Sequence, residues 1–225
     1  KGLPHNPLIN SGAIMTSSLI GINKNQSDKF EHVMDIWNKL SGNFSSVGFN
    51  NGVYLSEKNT ADRNFALAYF MKEVNENKKI GFPENTNINE VLELYFQCCS
   101  IEINSESMSI VAGTLANGGI NPLTGEIVFK PNTVKNMLSM MLMCGMYDYS
   151  GEFVFTNIFN LFLNSINLGS SFKNPSLFIV SNILFLFILF SSSSTKYKKN
   201  FFLIDNLILF FSNILFVNLF QLLIF

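Results

Sequence analysis

The sequence predicts a mainly helical globular segment followed by an apolar tail, and three observations carry that expectation. Five segments before residue 150 place apolar side chains at i, i+3, i+4 and i+7, the spacing of one helix face. Composition then changes abruptly: residues 151–225 contain no Ala, Cys, His, Met, Arg or Trp, yet hold 16 of the 24 Phe. Finally, a net charge of −1, from 15 basic and 16 acidic side chains, argues against a protein held on nucleic acid by bulk charge.

The first helix starts at Ser27, with Asp28 in its first turn. It carries Phe30, Val33, Met34, Trp37 and Leu40 on one face and stops at Gly42. A second starts near Thr60 and runs through Phe65, Ala68, Tyr69 and Phe70 to about Val74, ahead of the Gly81-Phe82-Pro83 breaker. Asn87, three residues before Glu90, caps a third, which carries Val91, Leu92, Leu94, Tyr95 and Phe96. A fourth covers 105–116 with Met108, Val111 and Leu115 inward, and ends at Asn117-Gly118-Gly119. Residues 121–125 form a turn and Glu126 to Phe129 a short strand. Pro131 then opens a fifth helix that runs through Val134, Met137, Leu138, Met141 and Leu142 to Gly145.

The tail holds an apolar run from Leu177 to Phe190, a Lys196/Lys198/Lys199 cluster and a last apolar run from Phe201 to Phe225. The last run has the length of a membrane span. Its Asn, Asp and Gln interruptions, and a vocabulary that A- and T-rich codons encode, favour a translated non-coding stretch over a membrane anchor. Three cysteines, Cys98, Cys99 and Cys144, form neither a disulfide framework nor a zinc spacing, which points to a reducing compartment. The chain opens at Lys1 with no signal-peptide pattern, and is expected to start inside a longer protein.

The chemistry-bearing residues fall into polar clusters. Asn10, Ser11 and Gly12 either cap a helix at Ala13 or line a site. Glu57 and Asn64 are seven apart, so a single helix covering both sets them two turns apart on one face. A carboxylate and an amide facing one cleft suit a zwitterionic ligand: the first takes an ammonium and the second donates to a carboxylate. The bland alternative is a solvated face with Glu57 paired to Lys58 or Arg63. Tyr95 and Tyr147 stand at apolar-to-polar edges, where a core aromatic with a wet hydroxyl is the commoner case.

Taken together, five ordered segments resemble the glutaminase family, the serine-dependent amidohydrolases that convert L-glutamine to L-glutamate and ammonia. They are His5-Asn6-Pro7 with Asn10-x-Gly12-Ala13-Ile14; Ser56-Glu57 with Asp62-Arg63-Asn64-Phe65; and Tyr95-Phe96-Gln97-x-Cys99-Ser100-Ile101-Glu102. Ala112-x-x-Leu115-Ala116-Asn117-Gly118-Gly119 with Pro122-x-Thr124-Gly125-Glu126, and Cys144-Gly145-Met146-Tyr147-Asp148-x-Ser150-Gly151, complete the set. The likeness covers about residues 3–155 and is nearest to the animal, kidney-type branch.

The resemblance implies an α/β (α+β) fold like that of the serine β-lactamases and penicillin-binding proteins, an antiparallel sheet packed by a helical cluster. Residues 1–155 would be a partial catalytic domain, mainly the helical cluster, and 156–225 a non-family tail. It also implies that Asn10, Glu57 and Asn64 bind substrate, Glu57 receiving the ammonium. Tyr95 and Tyr147 would be the active-site tyrosines, Tyr147 moving protons to and from the nucleophile once a nearby lysine lowers its proton affinity. Implied with these are no cofactor or metal, phosphate as an activator, a homo-oligomer (dimer or tetramer), L-glutamine and L-glutamate as ligands, and a mitochondrial location. No nucleic acid is expected, and a membrane only through the tail.

The family's nucleophile motif, Ser-x-x-Lys, precedes the Asn-Pro segment, and residues 1–225 hold none ahead of it. Ser170-Ser171-Phe172-Lys173 and Ser193-Ser194-Thr195-Lys196 come after it, in the wrong order, and are rejected. The segment that closes the family's active site has no counterpart after Phe155, so this chain alone is expected to be inactive. The alternative expectation is a catalytically dead, membrane-anchored isoform that associates with the full-length enzyme.

Overall fold

The computed structural model describes residues 3–43, 47–78, 81–153 and 155. Expectations placed on the tail beyond residue 155, among them the membrane spans and the lysine cluster, lie outside the described residues. Within them the chain folds as α1 (Asn10–Ser17), α2 (Gln26–Leu40), β1 (Val47–Phe49), α3 (Asn51–Asn59), α4 (Asp62–Lys78), α5 (Ile88–Cys99), β2 (Ile101–Ile103), α6 (Ser105–Ala116) and α7 (Pro131–Cys144). A 3-10 turn at Tyr147–Tyr149 and the short α8 (Ser150–Phe153) follow. Helix dominates, as the periodicity predicts.

Four helix starts are fixed by asparagine. The side chains of Asn25, Asn50, Asn87 and Asn104 accept from backbone N–H groups in the first turns of α2, α3, α5 and α6, satisfying donors that the helix itself leaves open. α7 starts instead on Pro131, which has no N–H to satisfy.

α5 is the spine of the molecule. Leu94 and Cys98 face a core built with Val33, Trp37 and Leu40 of α2, Met108, Val111 and Leu115 of α6, and Val134 and Met137 of α7. Ile88, Val91, Leu92, Tyr95 and Phe96 face a second core with Leu8, Ala13, Ile14, Ala68 and Met71. A helix buried on two opposite sides must be apolar nearly all round, which explains its sequence. Truncating Phe96, which is 1% exposed, would cost about 3–5 kcal/mol.

The segment joining α6 to α7 hangs on Asn121, which is 0% exposed. Its Nδ2 donates to the carbonyls of Lys39 and Leu40 at the end of α2, at 2.9 and 3.1 Å. Its Oδ1 accepts from the N–H groups of Leu123 and Thr124 at 2.9 and 3.2 Å. Gly119 is required beside it: its φ is +97°, and a Cβ there would lie 2.3 Å from the Phe129 carbonyl oxygen.

Several expectations are corrected. The strand expected at Glu126 to Phe129 reduces to a single antiparallel bridge between Ile120 and Ile127, because the chain there bonds back to Gly119 through the N–H groups of Val128 and Phe129. The second helix begins at Asp62 and extends to Lys78 rather than to about Val74. Not expected from sequence were α3, the 3-10 turn with α8, and the antiparallel β1–β2 ladder, which pairs Val47 with Ile103, Gly48 with Glu102 and Phe49 with Ile101. Among the described residues no helix is long and apolar enough to cross a membrane.

Candidate active site

α1, α3 and α4, packed against α5, and the 3-10 turn after α7 carry the expected site residues together with α5 itself. Asn10 stands in the first turn of α1, and its Nδ2 donates to Oδ1 of Asn64 in the first turn of α4, at 3.1 Å. The capping alternative for Asn10, Ser11 and Gly12 is therefore not realised. The helix already begins at Asn10, Ile9 is its N-cap, and no side chain caps it. Gly12 has a different task, since a Cβ at that position would lie 2.2 Å from the Pro7 carbonyl oxygen. The Asn6-Pro7 segment thus crosses directly over the start of α1. Asn6 anchors it by accepting from the Leu8 N–H at 2.8 Å and donating to the Cys144 carbonyl at 3.3 Å.

Glu57 and Asn64 do not share one helix. α3 ends at Asn59 and α4 starts at Asp62, with the break at Thr60 and Ala61. Glu57 therefore comes from the last turn of one helix and Asn64 from the first turn of the next, both packed against α5. Asn64 is buried, 8% exposed, while Glu57 is half-buried. The pairing of Glu57 with Lys58 is not found: the Lys58 ammonium pairs with Glu93 of α5. Among the described residues Glu57 forms no ion pair, and burial raises its carboxyl above the ordinary range.

Tyr95 projects from α5 and is 7% exposed, its ring edge-on to Phe96 with centroids 5.7 Å apart. Its phenol is pushed far above the ordinary range by burial, then by Cys99, with which it shares a hydrogen bond, and by Glu57 and Tyr147. It stays a neutral hydrogen-bonding group at any physiological pH. Cys99, one turn further along α5, has its thiol pushed up to about 12 by burial and then by the Glu57 carboxylate. Sequence inspection places Cys99 only inside a matching motif. Its i, i+4 spacing from Tyr95 is the signal that it shares the same face.

Tyr147 is half-buried and lies in the left-handed region, φ +50°, unusual for a residue with a Cβ and a mark of imposed geometry. Ser150, itself buried, holds that turn. Its Oγ accepts from the Met146 N–H at 3.0 Å and donates to the Tyr147 carbonyl at 2.8 Å. Burial, and then Cys99, raises the Tyr147 phenol, the opposite of what a proton carrier needs.

Glu57, Tyr95, Cys99 and Tyr147 thus influence one another electrostatically, and Asn10 with Asn64 forms a second polar pair on neighbouring helices. A groove lined by Lys130, Pro131, Asn132, Thr133 and Asn136 shares no residue with them. Among the described residues no group of His, Cys, Asp and Glu is placed to hold a metal ion.

Comparison with known proteins extends this geometry. The profile of the family described as Glutaminase matches residues 1–157. The rat liver isoform of mitochondrial glutaminase is 49% identical over 155 residues, which cover 69% of this chain and 25% of that protein. Glutaminase 2 of Clostridium perfringens is 43% identical over 150 residues, 67% of this chain and 46% of that protein. Among solved structures, a probable glutaminase of Bacillus subtilis superposes with a TM-score of 0.61 at 32% identity, covering 68% of this chain and 46% of that one. The chain therefore spans about a quarter of its animal relatives and just under half of its bacterial ones. These neighbours place the described residues in the α+β, β-lactamase-like class, represented here mostly by its helices.

Proposed function

The chain belongs to the glutaminase family, and from that premise we propose that it supplies the amino-acid-binding side of an enzyme that hydrolyses L-glutamine to L-glutamate and ammonia. The observation that carries this proposal is the pair of unlike polar groups around α5: a half-buried carboxylate without an ion-pair partner among the described residues, and an amide pair ordered by a hydrogen bond. Glu57 receives the substrate ammonium, which offsets the cost of its own burial. Asn64 has its carbonyl occupied by Asn10, leaving Nδ2 to donate to the substrate carboxylate. Tyr95, close enough for Glu57 to act on it, is a neutral donor beside the carboxylate.

In the proposed reaction a serine oxygen attacks the side-chain amide carbon, the C–N bond breaks with ammonia leaving, and water then splits the acyl-enzyme. The serine and its lysine are not found ahead of Asn10 in residues 1–225. Tyr147 carries the proton only where such a lysine cation lies close enough to bring its phenol back down. For residues 1–225 we therefore expect substrate binding without hydrolysis. Relatives named as mitochondrial support a mitochondrial location for this protein.

Purified chain 1–225 tests the proposal directly. Saturable binding of L-glutamate with no ammonia released from L-glutamine above a buffer blank is expected. Ammonia release would overturn the separation of binding from chemistry, and absence of binding would overturn the site.

A further inference from the structure

Tyr54, Lys58 and Glu93 form a cluster that no step above uses. α3 carries Glu57 and has no fully buried side chain; its hold on the core comes through Tyr54, which is partly buried against the second core. Tyr54 and Lys58 stand one turn apart on the same face of α3, and both reach one atom, Oε1 of Glu93 on α5. The Tyr54 hydroxyl donates to it and the Lys58 ammonium pairs with it. Lys58 Nζ also donates to the Tyr54 hydroxyl at 3.4 Å and lies 5.6 Å from the ring centroid. The Tyr54 ring in turn meets Phe49 of β1, centroids 5.8 Å apart.

The three groups hold one another in their working protonation states. Burial disfavours the charge on Glu93, but hydrogen bonds from Lys58 and Tyr54 outweigh it and keep the carboxyl below the usual range. Glu57 lies between Tyr54 and Lys58 in sequence but on a neighbouring face of the helix. The angle at which Tyr54 and Lys58 grip Glu93 therefore decides where the Glu57 carboxylate points.

We propose that Tyr54, Lys58 and Glu93 form a clasp that sets the rotation of α3 on α5 and so positions Glu57 for the substrate ammonium. The clasp residues are positioning residues, and their effect on binding rests on the role proposed for Glu57.

The test uses the full chain with Glu93→Gln, with Tyr54→Phe, and with the charge swap Lys58→Glu plus Glu93→Lys. Amide hydrogen exchange is followed across 51–59 and L-glutamate affinity by titration. Glu93→Gln is expected to speed exchange in α3 roughly fivefold or more while α2 and α5 keep their protection, and to weaken L-glutamate binding by a similar factor, the scale of one net hydrogen bond. Tyr54→Phe is expected to act in the same direction, and the charge swap to recover both readouts. Unchanged α3 exchange in Glu93→Gln would overturn the clasp, as would a rise spread evenly over all helices. If Glu57→Gln binds L-glutamate as the unaltered chain does, the role of Glu57 fails, and the exchange data still decide the clasp.

Discussion

Glu57 ionises against its surroundings, and this gives its function a thermodynamic signature. Burial places its folded-state carboxyl above the unfolded value. The folded state therefore holds that proton more tightly, and stability falls as pH rises through the folded value. At neutral pH the penalty is fully present. Glu57→Gln is expected to raise the melting temperature at pH 7 by about 2 °C, with the gain vanishing below the carboxylate range, while L-glutamate affinity falls. Calorimetry at pH 7 and pH 4 checks this; a lower melting temperature at pH 7 would mean the carboxylate is stabilised by a partner. Gly12 is a second residue whose chemistry is read from one contact. Gly12→Ala sets a Cβ against the Pro7 carbonyl oxygen, 2.2 Å away, and is expected to cost about 1–3 kcal/mol in urea unfolding.

At the scale of elements, α2, α5, α6 and α7 are legible from sequence because each carries an apolar stripe. Asn87 and Pro131 also announce their starts, whereas the caps Asn25 and Asn104 emerge only in the structure. α3 is not legible: its side chains are all at least partly exposed, so no stripe exists to see. Its place depends on long-range partners, including Glu93 and the Ser100 carbonyl that accepts from the Asn50 N–H at 2.8 Å. β1 and β2 have three residues each, too few for a period of two to register. The break between Glu57 and Asn64 is legible as the helix start near Thr60, within two residues of the observed start at Asp62. Asn121 shows an element fixed by hydrogen bonds rather than pattern. Asn121→Leu would leave the last carbonyls of α2 without these donors, and is expected to destabilise the protein by about 3 kcal/mol or more in urea unfolding. A loss under 1 kcal/mol would show that water replaces the amide.

At the scale of the whole molecule, two cores share α5, while Phe70, Leu123, Ile127 and Met143 are each at least 60% exposed. Exposed apolar side chains favour association where they adjoin one another on the surface. Sedimentation of the purified chain is expected to show concentration-dependent association above its 25.3 kDa mass, and a single monomeric species at high concentration would contradict that. Residue types and order made the family legible in the sequence and nominated the residues of the candidate site. The grouping of Glu57, Tyr95, Cys99 and Tyr147 needed the fold, because three separate segments supply them: α3, α5 and the 3-10 turn.

The most direct test of the central claim compares L-glutamate with glutarate, which keeps both carboxylates and lacks the ammonium, in calorimetric titrations of the full chain. If Glu57 receives the ammonium, L-glutamate binds at least tenfold more tightly, and Glu57→Gln removes that preference. Equal affinity for the two ligands, or a preference that survives Glu57→Gln, would contradict the assignment.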